Sequence, residues 1–198
     1  MHSPRVDVMF VSTKPSARVQ GLRPFDDGSS LQSVGTDPVS QAAITGAALV
    51  RHLDDLRFAA LRALRQLLRA LDAERIALGR LDPKGAVIHE DLVWVSGFGR
   101  CGESERKVSC KPFAALVKAW ADSGEDVLGI PIGPLSPAWP ELPCDHLLLV
   151  RTPEPLGGKG YPVIVAQLRG VIPRPDAAPR AIGILLKAYA QRCATVGP

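Results

Sequence analysis

A hairpin written into residues 75–95 constrains this chain more than any other feature. Arg75-Ile76-Ala77-Leu78-Gly79-Arg80-Leu81 reads as a short strand, and Asp82-Pro83-Lys84-Gly85 follows as a turn. Proline presets φ there and glycine supplies a positive φ. Val87, His89, Asp91, Val93 and Val95 then alternate with Ile88, Glu90, Leu92 and Trp94. A strand of period two directly after such a turn folds back on its predecessor. Neighbours joined this tightly are antiparallel, whereas a doubly wound parallel sheet needs a crossover helix between strands.

Upstream, Leu49, Leu53, Leu56, Ala60, Ala63, Leu67 and Ala70 recur at spacings of four and three, with Leu61, Leu64, Leu68 and Leu71 beside them. This pattern predicts one long helix over about 39–71 with a broad apolar face. Gly46 is expected to weaken its first turns and to delay its start past Val39. Residues 1–38 read as an arm. Val6 to Val11 forms a short strand there, and the Gly-, Ser-, Asp- and Pro-rich stretch from Gly21 to Pro38 forms a linker.

Downstream, residues 96–111 read as a Gly-rich, charged loop. Lys111 to Ser123 reads as a helix with Phe113, Leu116, Val117 and Trp120 on one face and Gly124 as its stop. Val127 to Ile132 is a short strand. Pro134 to Pro143 is neither helix nor strand, and Trp139 is expected to pin it to the core. His146 to Arg151 and Tyr161 to Val171 are apolar strands, joined through the Pro- and Gly-rich loop Thr152 to Gly160. A last helix opens after Asp176, with Pro179 in its first turn. The expected fold is therefore α+β: a central antiparallel sheet flanked by a long N-terminal helix, a middle helix and a C-terminal helix.

Composition narrows the function classes. The 198 residues hold one sizeable core, or a core plus an extension. Hydrophobic residues at 46% and charged residues at 22% are ordinary globular values. Aromatics are only 5%, few for a groove that stacks single-stranded bases. The net charge of +4 is scattered. Its nearest approach to a cluster, Arg57, Arg62, Arg65 and Arg69, reads as a solvated helix face, so nucleic acid is not the expected partner. No apolar run approaches the roughly 18 residues of a membrane span, and the first residues lack a secretory h-region. Four cysteines, Cys101, Cys110, Cys144 and Cys193, are too sparse for a disulfide scaffold. A cytoplasmic location with reduced thiols and no membrane contact is expected.

One stretch carries a family resemblance. Leu64-Arg65-Gln66-Leu67-Leu68-Arg69-Ala70-Leu71 ends an amphipathic helix, and Ala73-Glu74-Arg75 links it to the apolar strand Ile76-Ala77-Leu78-Gly79-Arg80-Leu81. Leu81-Asp82-Pro83-Lys84-Gly85 then turns into the next strand. This corner, with the element order that follows over about 45–195, resembles a GAF domain, a sensory module related to PAS domains. The proline-rich region from Gly124 to Pro143 departs from the more regular family pattern. Residues 1–38 fall outside that pattern, which places the GAF-like domain at 39–198.

The resemblance implies a pocket on one sheet face, roofed by the middle helix and its flanking loops. Family members bind cyclic nucleotides, tetrapyrroles, haem or small metabolites there, and the cofactor of this chain is left open. The residues assigned to the pocket are Trp94, Phe98, Phe113, Trp120 and Trp139, with Arg100 as an anion contact. The resemblance also implies pairing through the terminal helices. Leu49, Leu53, Leu56, Leu67, Leu186 and Tyr189 are assigned to that homodimer or partner-protein face. The expected function is small-molecule sensing or regulation through protein contacts, without catalysis. A ligand-free scaffold using the helix faces is one alternative. A cysteine-based free methionine sulfoxide reductase using Cys101, Cys110 and Cys144 is the other.

Other constellations carry less. Cys144-Asp145-His146 places a thiol near an imidazole, but an Asp intervenes where tetrapyrrole-binding relatives have Cys and His adjacent. Cys101, Cys110, Cys144 and His146 lack the tight Cys-x₂₋₄-Cys spacing of structural zinc sites. Gly97-Phe98-Gly99-Arg100-Cys101-Gly102 lacks the Gly-Lys-Ser/Thr ending of a P-loop. Gly-x-Ser-x-Gly and His-Glu-x-x-His are absent from the sequence. His89, Glu90 and Asp91 read as the polar face of a hairpin strand.

Overall fold

Two aspartates decide where the first helices begin. The computed structural model describes residues 37–82, 84, 87–97, 101–110, 114–123, 127–131, 144–152, 155, 160–169 and 178–196. The expected strand at Val6 to Val11 and the arm up to residue 36 lie outside them. Asp37 caps α1 (Pro38–His52) by accepting from the backbone N–H of Val39 at 3.1 Å and of Ser40 at 3.0 Å. Pro38 occupies the first turn, where its missing N–H costs nothing. Asp55 caps α2 (Leu56–Ala70) by accepting from Phe58 N–H at 2.8 Å.

The single helix expected over 39–71 is thus two helices. At Leu53 the backbone turns extended, and Asp55 offers its carboxylate to the chain ahead in place of a helical hydrogen bond. Arg192 from the last helix donates to the Leu53 carbonyl at 3.1 Å, which satisfies an acceptor at the end of α1. Gly46 does not delay α1. It is the contact point with α2, where an added Cβ would lie 2.8 Å from the Ala63 Cβ.

The strands form one antiparallel sheet. They are β1 (Ala73–Leu81), β2 (Val87–Val95), β3 (Cys101–Glu103), β4 (Lys107–Ser109), β5 (Val127–Pro131), β6 (His146–Arg151) and β7 (Tyr161–Leu168). Their spatial order is β3-β2-β1-β7-β6-β5, and β4 also pairs with β2. The expected hairpin is present. Asp82 closes its turn, donating its N–H to the Val87 carbonyl and accepting from the Val87 N–H on Oδ1, both at 2.9 Å. The expected loop 96–111 contains β3 and β4. Strands of three residues are too short to show a period, and the free edge of β2 supplies their pairing.

Two cores lie on the two faces of this sheet. On one, α2 and α4 (Ala178–Val196) contact the strands and α1 rests against both helices. Ile76, Leu78, Leu148, Val150, Ile164 and Ala166 point into this layer. On the other, α3 (Ala114–Ser123) brings Val117 and Trp120 over Leu147, Leu149, Val163 and Val165. Alternation along β6 therefore divides its leucines between the two cores. Among the described residues no helix is long and apolar enough to cross a membrane.

A β-bulge interrupts the hairpin. Leu78 pairs with Leu92 but Gly79 pairs with Glu90, which leaves Asp91 as the extra residue. The register brings the two strands so close that a Cβ on Gly79 would lie 2.1 Å from the His89 carbonyl oxygen. Glycine is required there by this close approach.

Candidate functional site: the sheet face beneath α3

The face beneath α3 is apolar at its centre and polar at both ends. Arg75, Glu90 and Gln167 are exposed by only 6%, 2% and 0%. Arg75 sits opposite Gln167 across β1 and β7. Its guanidinium reaches Glu90 on β2, with Nη1 donating to Oε1 at 2.8 Å and Nη2 to Oε2. The Ser104 hydroxyl also contacts Glu90 Oε2, at 3.4 Å. A buried charge needs a partner of this quality, because desolvation costs several kcal/mol per ion. On β1, Ala77 and Gly79 alternate with Arg75 on the same side, and their small size leaves room for its long side chain.

At the other end, Arg151 lies over the ring of Trp120 at 5.0 Å and over that of Tyr161 at 4.9 Å. It also donates to the Trp120 carbonyl at 3.0 Å. Both aromatic faces attract the cation. Trp120 is fully buried, and among the described residues its indole N–H has no hydrogen-bond acceptor. A buried indole N–H ordinarily finds one.

The residues assigned to the pocket do not all meet here. Trp120 does. Trp94 faces the opposite way, packed against the α1–α2–α4 core with the Arg65 guanidinium 5.3 Å from its ring. The bulge is the reason: it shifts the alternation between Glu90 and Leu92, so Glu90 and Trp94 part company. Phe98, Arg100, Phe113 and Trp139 lie outside the described residues. Sequence reasoning missed the Arg75–Glu90 pair. Its signal was Glu90 itself, an acid among Ile88, Leu92 and Trp94 in the alternating strand.

Of the residues assigned to a dimer face, Leu67 and Leu186 are fully buried inside this chain. Leu49, Leu53, Leu56 and Tyr189 are half-buried and pack on the same core. The surplus apolar stripe is taken up by α1 resting on α2 and α4. Large hydrophobic side chains left open on the helices are Ile44, Phe58 and Ile184.

Two of the thiols, Cys110 and Cys144, have raised pKa values. Cys110 is buried, and desolvation, helped by the Asp82 charge, pushes its pKa up to about 11. Burial and then Asp145 likewise raise the half-buried Cys144. An attacking thiol needs the opposite shift, because the thiolate is the nucleophile. Cys101 stands in β3 opposite Trp94. Among the described residues no group of three His, Cys, Asp or Glu side chains could hold a metal ion.

No protein-family model matches the chain, and no curated protein matches it. Solved structures do. The GAF domain of a phosphoenolpyruvate-protein phosphotransferase from Coxiella burnetii is 13% identical with a TM-score of 0.54, covering 82% of this chain and 96% of that one. Free methionine-R-sulfoxide reductase from Neisseria meningitidis, in complex with its substrate, is 12% identical with a TM-score of 0.54, covering 84% and 92%. The phycocyanobilin-bound GAF domain of a cyanobacterial phytochrome is 8% identical with a TM-score of 0.55, covering 79% and 94%. The antiparallel sheet, with α1, α2 and α4 on one face and α3 on the other, is a GAF-domain fold.

Proposed function

We propose that this chain is a sensory or regulatory domain that binds a small molecule between α3 and the sheet. The observation that carries the reading is the buried polar set on an otherwise apolar sheet face: Arg75 with Glu90, Gln167, and the indole N–H of Trp120, which has no acceptor among the described residues. Ligand sites combine an apolar lining with a few placed polar groups. Two of the similar structures hold a small molecule, a bilin in one and a substrate in the other. The output is a change of protein contacts, and the domain of residues 39–198 has no catalytic step of its own. The elevated thiols of Cys110 and Cys144 weigh against the reductase alternative.

A thermal-shift series with phycocyanobilin, haem, cyclic GMP, cyclic AMP and free methionine sulfoxide tests this. A specific ligand raises the melting temperature by mass action, by several degrees at saturating excess. Trp120→Phe keeps the ring and removes the N–H, and it should reduce that shift. Melting curves unmoved by every class would overturn the reading. For the reductase, absence of methionine sulfoxide turnover by the parent protein ends the alternative.

A second reading rests on Ile44 and Ile184, exposed by 48% and 44% on neighbouring helices. Gly46 and Leu185 meet nearby, which puts the two isoleucines at one level of the α1–α4 layer. We propose that they pair with a second copy of the chain. Light scattering should give twice 21.1 kDa, and Ile44→Lys should return it to the monomer. A parent that is monomeric at tens of micromolar contradicts the pairing.

A further inference from the structure

The outer side of α2 carries a row of arginines without carboxylate partners. Phe58, Arg62, Arg65 and Arg69 are all exposed and follow one another at spacings of four, three and four. At 3.6 residues per turn this keeps them within about 60° of one another, along about 16 Å of helix. The opposite side of α2 sends Ala59, Ala63, Leu64 and Leu67 into the core, and the whole helix contains no acid. Arg57, which lies off the row, pairs with Glu103. Arg62, Arg65 and Arg69 form no ion pair among the described residues.

A helix face that meets only water ordinarily mixes both signs, because like charges three and four residues apart repel. This row keeps one sign. Two of its arginines are also held in place. The Arg62 guanidinium lies 5.6 Å from the Phe58 ring centre, and that of Arg65 lies 5.3 Å from the ring of Trp94 on β2. Trp94 is itself packed against the core. A guanidinium laid on a ring keeps its N–H edge free, and that planar fork fits a carboxylate with two hydrogen bonds. Groups fixed before binding lose less freedom when a partner arrives. Arginine beside aromatic rings is also the composition that protein interfaces favour.

We propose that this row docks an acidic helical segment of a partner protein, whose carboxylates recur at three- and four-residue spacings opposite the arginines. Two helices packed side by side present such rows to each other. An apolar residue of the segment meets Phe58, which is 51% exposed. Duplex nucleic acid fits less well, since its binding builds on many phosphate contacts and the row offers three arginines. A membrane surface fits worse, since the apolar face that would enter lipid is buried in this chain's own core. The row lies on the α1–α2–α4 side of the sheet, away from α3, and its docking does not rest on the ligand reading.

The probe is a fluorescein-labelled helical peptide with Glu along one face at alternating three- and four-residue spacings and a Leu at the end of that row. Fluorescence anisotropy against the full chain should give a Kd of tens of micromolar or tighter, weakening as salt screens the pairs. Arg62→Gln/Arg65→Gln/Arg69→Gln should weaken binding about tenfold, the loss expected of three exposed pairs together. Lys107→Gln/Lys118→Gln/Lys187→Gln removes the same charge from exposed positions elsewhere and should leave binding unchanged. Arg65→Lys keeps the charge without the fork and should weaken binding as well. If the triple arginine variant melts early, Arg69→Gln, whose side chain meets no ring among the described residues, should still weaken binding. A parent chain that does not bind the peptide overturns the proposal. Equal losses in the arginine and lysine variants overturn it too, because net charge alone then explains the binding. So does tighter binding of duplex DNA or of phosphatidylserine vesicles through the same arginines. None of these results bears on the thermal-shift test of the site beneath α3.

Discussion

Arg75 and Glu90 meet on adjacent strands as a two-pronged ion pair, with Arg75 Nη1 2.8 Å from Glu90 Oε1 and side-chain exposures of 7% and 0%. Removing one partner strands the other charge in the interior. Glu90→Leu or Arg75→Met alone should lower the unfolding free energy by about 3–5 kcal/mol. Arg75→Met/Glu90→Leu together should cost much less than the sum, since both charges go at once. Urea denaturation of the four proteins checks this. Additive losses would show that the two residues do not depend on each other.

Arg57 and Glu103 form an ion pair of the other kind, on the surface, with side-chain exposures of 54% and 63%. Water and salt screen it, and two long side chains must be held still to make it. Glu103→Ala should therefore change stability by less than about 1 kcal/mol. A larger loss in the same urea experiment would mean that the β3 edge depends on this contact.

The contrast between these pairs also measures what a sequence can disclose. Period and turn chemistry are local, so the hairpin from Arg75 to Val95 is legible residue by residue. The end of α1 was legible too, in the consecutive Asp54 and Asp55, but the apolar stripe running through Leu53 and Leu56 masks it. The bulge is different. It depends on how closely β1 approaches β2 at Gly79, a relation between strands that no single strand encodes. Strict alternation puts Glu90 and Trp94 on one face, and the bulge separates them. The candidate site was thus half readable: Trp120 by its helical spacing, Arg75 and Glu90 only once the two strands were in register.

Gly79 is where that register can be broken with one methyl group. The Cβ of an alanine there would lie 2.1 Å from the His89 carbonyl oxygen and 3.0 Å from the Glu90 Cα, both main-chain atoms that cannot swing aside. Overpacking of this kind costs about 1–3 kcal/mol, and a forced backbone shift lies at the upper end. Gly79→Ala should destabilise by at least ~2 kcal/mol and should raise amide exchange across β1 and β2. Parent-like stability would mean that the bulge rearranges freely.

Cys110 gives the chain a stability loss at alkaline pH. The folded protein holds the thiol proton up to a pKa of about 11, against 9.0 for the ordinary thiol, mainly because burial disfavours the thiolate and then because Asp82 repels it. Below pH 9 the folded and unfolded chains both keep that proton, and the group adds no pH dependence. Between about pH 9 and 11 the unfolded chain sheds it while the folded chain does not, so stability must fall as pH rises. The slope is ~1.4 kcal/mol per pH unit and the full loss is ~3 kcal/mol. Tyr189 is raised by burial too, with Cys193 adding to it, and contributes a loss of the same sign from higher pH. The comparison with Cys110→Ala removes that background. The variant is the less stable protein at pH 8, because it leaves a small void. Its deficit should shrink steadily from pH 9 to 11 as the parent loses what the variant no longer has to lose. A deficit that stays constant across that window would show that the Cys110 thiol ionises in the folded state as readily as in water.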